Sequence, residues 1–210
     1  MDHDFWHHCW ENNDIGFHEG SPNQFLISQF SYFKHLFNGY RIFLPLCGKT
    51  SDIKWLLDQN YSVVGAELSQ IAIDELFLNL NIQPTITQMD HLIHYHSKNI
   101  DIFVGDIFDL DVHIIGQIHG VYDRAALVAL PPKLRLKYAN HLQYLTSNAP
   151  QFLIVFDYNQ ALMTGPPFSI STTEINQLYS THYKIHFQES KIVSLKTIDA
   201  SETVWFLTPK

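Results

Sequence analysis

Three features of the sequence predict an α/β fold built on a mostly parallel sheet. Short apolar runs recur along the chain, helical patterns separate them, and the last two runs follow one another with no helix between. Strands joined through helices run parallel, and the crossovers cover both faces of the sheet. The final pair lacks a crossover and closes as an antiparallel hairpin. Seven such runs are present, which predicts a seven-stranded sheet with helices on both faces.

The elements follow in order. Residues 1–38 are expected to form a helical lid region ahead of the sheet, within a single domain spanning 1–210. Arg41 to Leu46 is the first strand, and Ser51 to Asn60 places Ile53, Leu56 and Leu57 at helical spacing. Ser62 to Ala66 is the second strand, after which Ser69 caps a helix carrying Ile71, Ala72, Leu76 and Leu80. The segment Thr85 to His96 has the length of a small extra hairpin. Asp101 to Val104 and Gly120 to Tyr122 read as buried strands. Pro131 and Pro132 open a helix to about Leu145, at a position where a missing N–H costs little. Phe152 to Phe156 is strongly apolar, a short helix follows near Thr173 to Tyr179, and Tyr183 to Gln188 and Thr203 to Leu207 close the chain.

The bulk composition narrows the function. With 13 Lys+Arg against 21 Asp+Glu the formal charge is −8, a field that repels phosphate backbones and argues against a nucleic-acid partner. Cys9 and Cys47 are the only cysteines, too few for a disulfide framework, so a reducing cytoplasmic setting is expected. The start, Met-Asp-His-Asp, is acidic where a secretory leader is basic, and no apolar run approaches the roughly 20 residues needed to span a bilayer. With no coiled-coil pattern, a monomer is the expectation.

Two features mark the edge of the sheet where ligands bind. Pro45-Leu46-Cys47-Gly48-Lys49 follows the first strand, and Glu67 follows the second, 19 residues beyond Gly48. A carboxylate there can accept both hydroxyls of a ribose diol. A loop with one glycine is a poor pyrophosphate cradle, which favours a cofactor that has a ribose but no phosphate. The alternative is that Leu46 and Gly48 pack a turn while Glu67 is solvated.

Six ordered blocks then resemble one family. They are Phe5-Trp6 to Trp10 with Gly16-Phe17-His18, the Pro45–Lys49 loop, Val64 to Ser69, Gly105 to Leu110, Tyr122 to Leu127, and Gly165 to Ser169. The chain resembles the thiopurine S-methyltransferases, which have a Rossmann-like methyltransferase fold. The resemblance implies S-adenosylmethionine as cofactor and S-adenosylhomocysteine as product. It implies a small aromatic or heterocyclic thiol as methyl acceptor, with selenium or tellurium species a further class. By position, Trp10 covers the cofactor, Leu46 lines its methionine or ribose region, and Glu67 holds the ribose hydroxyls. Asp106 and Ile107 flank the adenine, Arg124 stands beside the transferred methyl, and Phe17 and His18 enclose the acceptor side.

A guanidinium stays protonated at working pH, so Arg124 is expected to act through charge on an anionic acceptor. Its alternative is a structural pairing with a carboxylate such as Asp123. Cys47 has no His-plus-carboxylate neighbours in sequence and reads as structural. His91, His94 and His96 have mixed spacings with no clustered carboxylate, so no metal site is expected. Two other functions stay open: an NAD-dependent oxidoreductase, sharing sheet and ribose acid, and a binder of the same fold without catalysis.

Overall fold

The computed structural model describes residues 3–196 and 198–210. Its sheet has strands β1 (Arg41–Leu44), β2 (Ser62–Glu67), β3 (Thr85–Met89), β4 (Leu92–Ser97), β5 (Ile100–Val104), β6 (Gly120–Arg124), β7 (Gln151–Asp157), β8 (Tyr183–Leu195) and β9 (Ile198–Pro209). The spatial order is β3-β4-β5-β2-β1-β6-β7-β9-β8. The centre, β5-β2-β1-β6-β7, is parallel throughout, while β9 runs antiparallel to β7 and to β8.

The seven-strand expectation is corrected to nine. The two additional strands, β3 and β4, form an antiparallel hairpin, and β4 pairs antiparallel to β5 at that edge. The Thr85–His96 stretch is therefore part of the sheet. Its four leading β3 positions are exposed, which hid the alternation that marks a half-buried strand. The closing hairpin is also longer than the two apolar runs within it. The outer half of β8, from Gln188 to Ser194, is polar apart from Ile192 and Val193.

Helices α1 (His3–Glu11), α2 (Gln24–Phe33), α3 (Ser51–Asp58), α4 (Gln70–Leu80), α5 (Val112–Ile115), α6 (Pro132–Leu145) and α7 (Thr172–Tyr179) complete the chain. Most start where the side chains dictate. Asn23, Thr50, Ser69 and Ser171 each accept from a first-turn N–H, satisfying donors that a helix leaves orphaned. Two apolar layers result. Phe30, Phe33, Ile53, Leu56, Ile73 and Leu76 of α2, α3 and α4 cover one face of the sheet. Tyr138, Leu142, Ile175 and Tyr179 of α6 and α7 cover the other.

One buried carboxyl pins the second layer. Asp123, wholly buried in β6, accepts from the Tyr138 hydroxyl at 2.7 Å and from the Leu127 N–H at 3.1 Å. Burial pushes it up to about 6, against the opposing pull of those hydrogen bonds. Between pH 4 and 6 the folded chain thus holds a proton that the unfolded chain has lost. Stability contributed by this group therefore falls as pH rises through that window. Relative to Asp123→Asn, which does not titrate, wild type should lose up to about 3 kcal/mol between pH 4 and pH 7. Urea unfolding of both proteins across that range checks this; parallel curves would clear Asp123 of the effect.

Candidate functional site

From β1 the sheet grows outward through β2 on one side and β6 on the other, so strand order reverses between β1 and β6. Doubly wound sheets bind ligands beyond the carboxyl ends of the strands at that point. A cavity of about 430 Å³ opens there, walled by Leu46 beyond β1, Glu67 at the end of β2, Arg124 at the end of β6 and Phe156 of β7. Small-molecule sites span roughly 300–1,000 Å³.

The loop after β1 is held in an unusual backbone state. Leu46 sits at φ 46°, a left-handed conformation that a leucine adopts only under constraint, and Gly48 sits at φ 52°. A Cβ on Gly48 would stand 3.1 Å from the Trp10 ring, so the glycine also lets that ring come close. Glu67 stitches the loop to the second strand: its Oε2 accepts from Gly48 N–H at 2.8 Å and its Oε1 from Ser69 N–H at 2.9 Å. Burial raises its pKa, and the backbone donors from Ser69, Gly48 and Leu68 oppose the rise. A carboxylate has about four acceptor sites, so the side chain keeps acceptor capacity beyond these donors, and it lines the cavity. In the loop itself, Cys47 N–H donates to Ala66 and Thr50 N–H to Cys47. With Gly48 N–H on Glu67, these donors are committed inside the protein, and a pyrophosphate would find them occupied.

Arg124 is held by an acid fifteen residues before Glu67. Its Nε donates to Asp52 Oδ2 at 2.8 Å and its Nη2 to Thr50 Oγ1 at 2.9 Å, while Nη1 lies 3.3 Å from Glu19 Oε1. Asp52 is fully buried in the first turn of α3, and it also accepts from the Tyr122 hydroxyl at 3.1 Å and from Asn23 N–H at 2.7 Å. Burial alone would lower the guanidinium pKa, but Tyr122, Asp52 and Glu19 outweigh it and raise it. The alternative of a structural carboxylate partner for Arg124 is met by Asp52, not by Asp123. Alternation along β6 sends Asp123 to the opposite face, where Tyr138 holds it.

Aromatic rings form the cover. Trp10 is buried and meets Phe17 edge-to-face at 5.5 Å, and Trp6 meets Phe17 the same way at 5.6 Å. His18 lies beside them, its pKa lowered by burial and then by the charges of Lys49 and Arg124. From the far side, Val193 to Lys196 at the tip of the β8–β9 hairpin reach the same cavity. A register shift between Phe187 and Glu189 marks a bulge in that hairpin, the kind of irregularity that bends a strand pair. Across the cavity, Asp14, Glu19, Asp52, Glu67 and Glu202 face Lys49, Arg124 and Lys196 among the described residues, a negative balance that suits a cationic ligand.

A family model described as thiopurine S-methyltransferase matches residues 1–204. The chain belongs to the thiopurine S-methyltransferase family. A thiopurine S-methyltransferase of Acinetobacter baylyi is 44% identical, with all of each chain covered. Another, from Xanthobacter autotrophicus, is 45% identical over 99% of each. Among solved structures, a SAM-dependent methyltransferase of Anabaena variabilis superposes with a TM-score of 0.66 at 13% identity, covering 100% of this chain and 96% of that one. Magnesium protoporphyrin IX methyltransferase of Synechocystis, solved with bound SAH, gives 0.63 at 12% identity over 99% of this chain and 100% of that one. At such identities these two speak for the methyltransferase fold alone.

Within this family member, six of the residues singled out in sequence line the one cavity: Trp10, Phe17, His18, Leu46, Glu67 and Arg124. Asp106 and Ile107 stand outside its wall. They follow Gly105, whose N–H donates to the Glu67 carbonyl at 2.9 Å, so they lie one strand over. Asp106 Oδ1 caps Phe108 N–H and its Oδ2 lies 3.1 Å from His3 Nε2, while Ile107 is buried in the core. Asp52, Tyr122 and Glu19 escaped the sequence reading. The available signal for Asp52 was an acid two residues after the capping Thr50, a pattern shared with ordinary helix starts. Asp52→Ala removes the partner of a nearly buried guanidinium and is expected to cost about 3–5 kcal/mol. Urea unfolding measures it, and a loss under about 1 kcal/mol would mean that Asp52 is not what holds Arg124.

Proposed function

We propose that the cavity takes S-adenosylmethionine beside a small aromatic or heterocyclic thiol, such as a thiopurine, and promotes methyl transfer to its sulfur. The observation that carries this reading is the Glu67 carboxylate, lining the cavity at the end of β2 with acceptor capacity left beyond its backbone donors. That is a ribose-binding acid beside a loop with no free cradle for phosphates. The excess of acids over cations fits a sulfonium-bearing cofactor, and Trp10 covers the loop from above. When bound, the cofactor supplies an electrophilic methyl group.

What this chain contributes is placement and charge. Glu67 fixes the ribose hydroxyls, and Asp106 and Ile107, one strand over, serve the adenine amino group and ring. Phe17 and His18 close the acceptor side, and the described part of the 1–38 region, from His3 on, acts as a lid that excludes water and strengthens the charges beneath it. Arg124 is oriented by Asp52 and Thr50 on two of its nitrogens, leaving Nη1 toward half-exposed Glu19. An anionic acceptor takes the place of Glu19 at Nη1, so the guanidinium favours the thiolate that attacks. A selenium or tellurium anion suits the same position. The protein works as a monomer in the cytoplasm; no described helix is long and apolar enough to cross a membrane.

Two measurements bear on this. Isothermal titration of S-adenosylhomocysteine should show tight binding by wild type and at least about tenfold weaker binding by Glu67→Ala, the loss of roughly one charge-assisted contact or more. A folded wild type that binds none would overturn the reading. Glu19→Gln should lower KM for an anionic thiol by about three- to tenfold with kcat little changed, since a competing charge is removed from Nη1. Unchanged KM would mean that the acceptor does not displace Glu19.

A further inference from the structure

We propose that His94, His96 and Asp101 form a binding site for one divalent ion of the zinc class, on the sheet edge opposite the methyl-transfer cavity. His94 and His96 are two apart on β4, so both rings leave the same face. The antiparallel register sets His96 across from Asp101 and His94 across from Phe103. His94 Nε2 and His96 Nδ1 approach the same oxygen, Asp101 Oδ1, at 2.9 and 2.7 Å. The three donor atoms lie within 4.8 Å of one another.

An ion held tetrahedrally at about 2.1 Å from each ligand needs donors about 3.4 Å apart. Opening the two short contacts by about half an ångström, through small rotations about side-chain bonds, creates that space. The outer partners already orient the ligands. The Phe103 ring stacks on His94, centroids 4.5 Å apart and planes 11° from parallel. Arg41 Nη2 holds the other carboxylate oxygen, Oδ2, at 2.9 Å, and Arg41 is itself bonded to the Ile115 carbonyl. One oxygen is therefore fixed while the other is presented to the imidazoles, the arrangement by which a second layer of contacts aims metal ligands.

Two imidazoles and one carboxylate suit zinc, copper, nickel or iron(II); magnesium and calcium prefer oxygen throughout. His96 is 56% exposed at its side chain, so water can complete the coordination. The Arg41 charge opposes a second cation on Asp101, which sets the affinity on the order of micromolar rather than nanomolar. The ion clips β4, and with it the β3–β4 hairpin, to β5. Asp101 and Arg41 lie at the amino ends of β5 and β1, whereas the cavity lies at the carboxyl ends, so methyl transfer is not its task. Without an ion, Asp101 simply accepts from both imidazoles, and the two states are separable.

The test is calorimetric titration of Zn²⁺ into the full chain, untagged and stripped with chelator. One equivalent should bind, with affinity about tenfold weaker or worse in both His94→Ala and His96→Ala, while Mg²⁺ gives no saturable heat. Saturating zinc should raise the wild-type Tm by about 5 °C and that of the folded variants by far less. His96 is exposed enough that its variant should fold, which keeps the comparison open. No saturable binding at about 100 µM zinc, or affinity equal to wild type in both variants, overturns the proposal. The second outcome would assign zinc to others among the 13 histidines.

Discussion

The buried carboxylate of Asp52 is the junction on which the working half of this structure depends. It takes the Asn23 N–H from the segment that starts α2, the Tyr122 hydroxyl and the Arg124 guanidinium from β6, and it belongs to α3. A charge removed wholly from water persists only if paired and hydrogen-bonded, and here three donors meet that need. The same contacts fix where Arg124 points. Folding and function therefore share a single electrostatic requirement, and the N-terminal segment is tied to the sheet through it.

Glu67 shows the same economy on the other side of the cavity. Its backbone donors include Gly48 of the loop after β1 and Ser69, which caps α4, so one side chain sets the spacing of two strand ends. The left-handed Leu46 and Gly48 are the local consequence. Strain of this kind survives where surrounding contacts over-determine the backbone, and a binding loop is a common place for it.

The sheet was legible where burial is two-sided. Val63, Val64 and Ala66, or Phe152 to Val155, make continuous apolar runs because parallel strands are covered on both faces. Helix starts were legible where a single residue type decides them, as at Ser69 and Pro132. What escaped depended on distance along the chain. Asp52 meets partners 29, 70 and 72 residues away, separations that no local pattern encodes. His94 and His96 alternate visibly on one strand face, but their proximity to Asp101 follows from a register between β4 and β5 that becomes known only once they pair. The outer half of β8 was missed as strand, and the Thr85–His96 hairpin was not counted into the sheet, for the converse reason: β3 and that half of β8 have little buried face and so little alternation to read.

The hairpin tip at Val193 to Lys196 has a consequence for how such a protein diversifies. One wall of the cavity comes from the last segment of the chain, at the end of a two-stranded arm whose outer residues are largely exposed. Side chains there can be exchanged with little repacking of either apolar layer, because they contribute little to them. The opposite wall, made by the Glu67 and Arg124 networks, tolerates no such freedom. Natural variation and directed selection can thus reshape one wall of the pocket while the chemistry opposite stays put, like a lock whose wards are cut separately from its bolt.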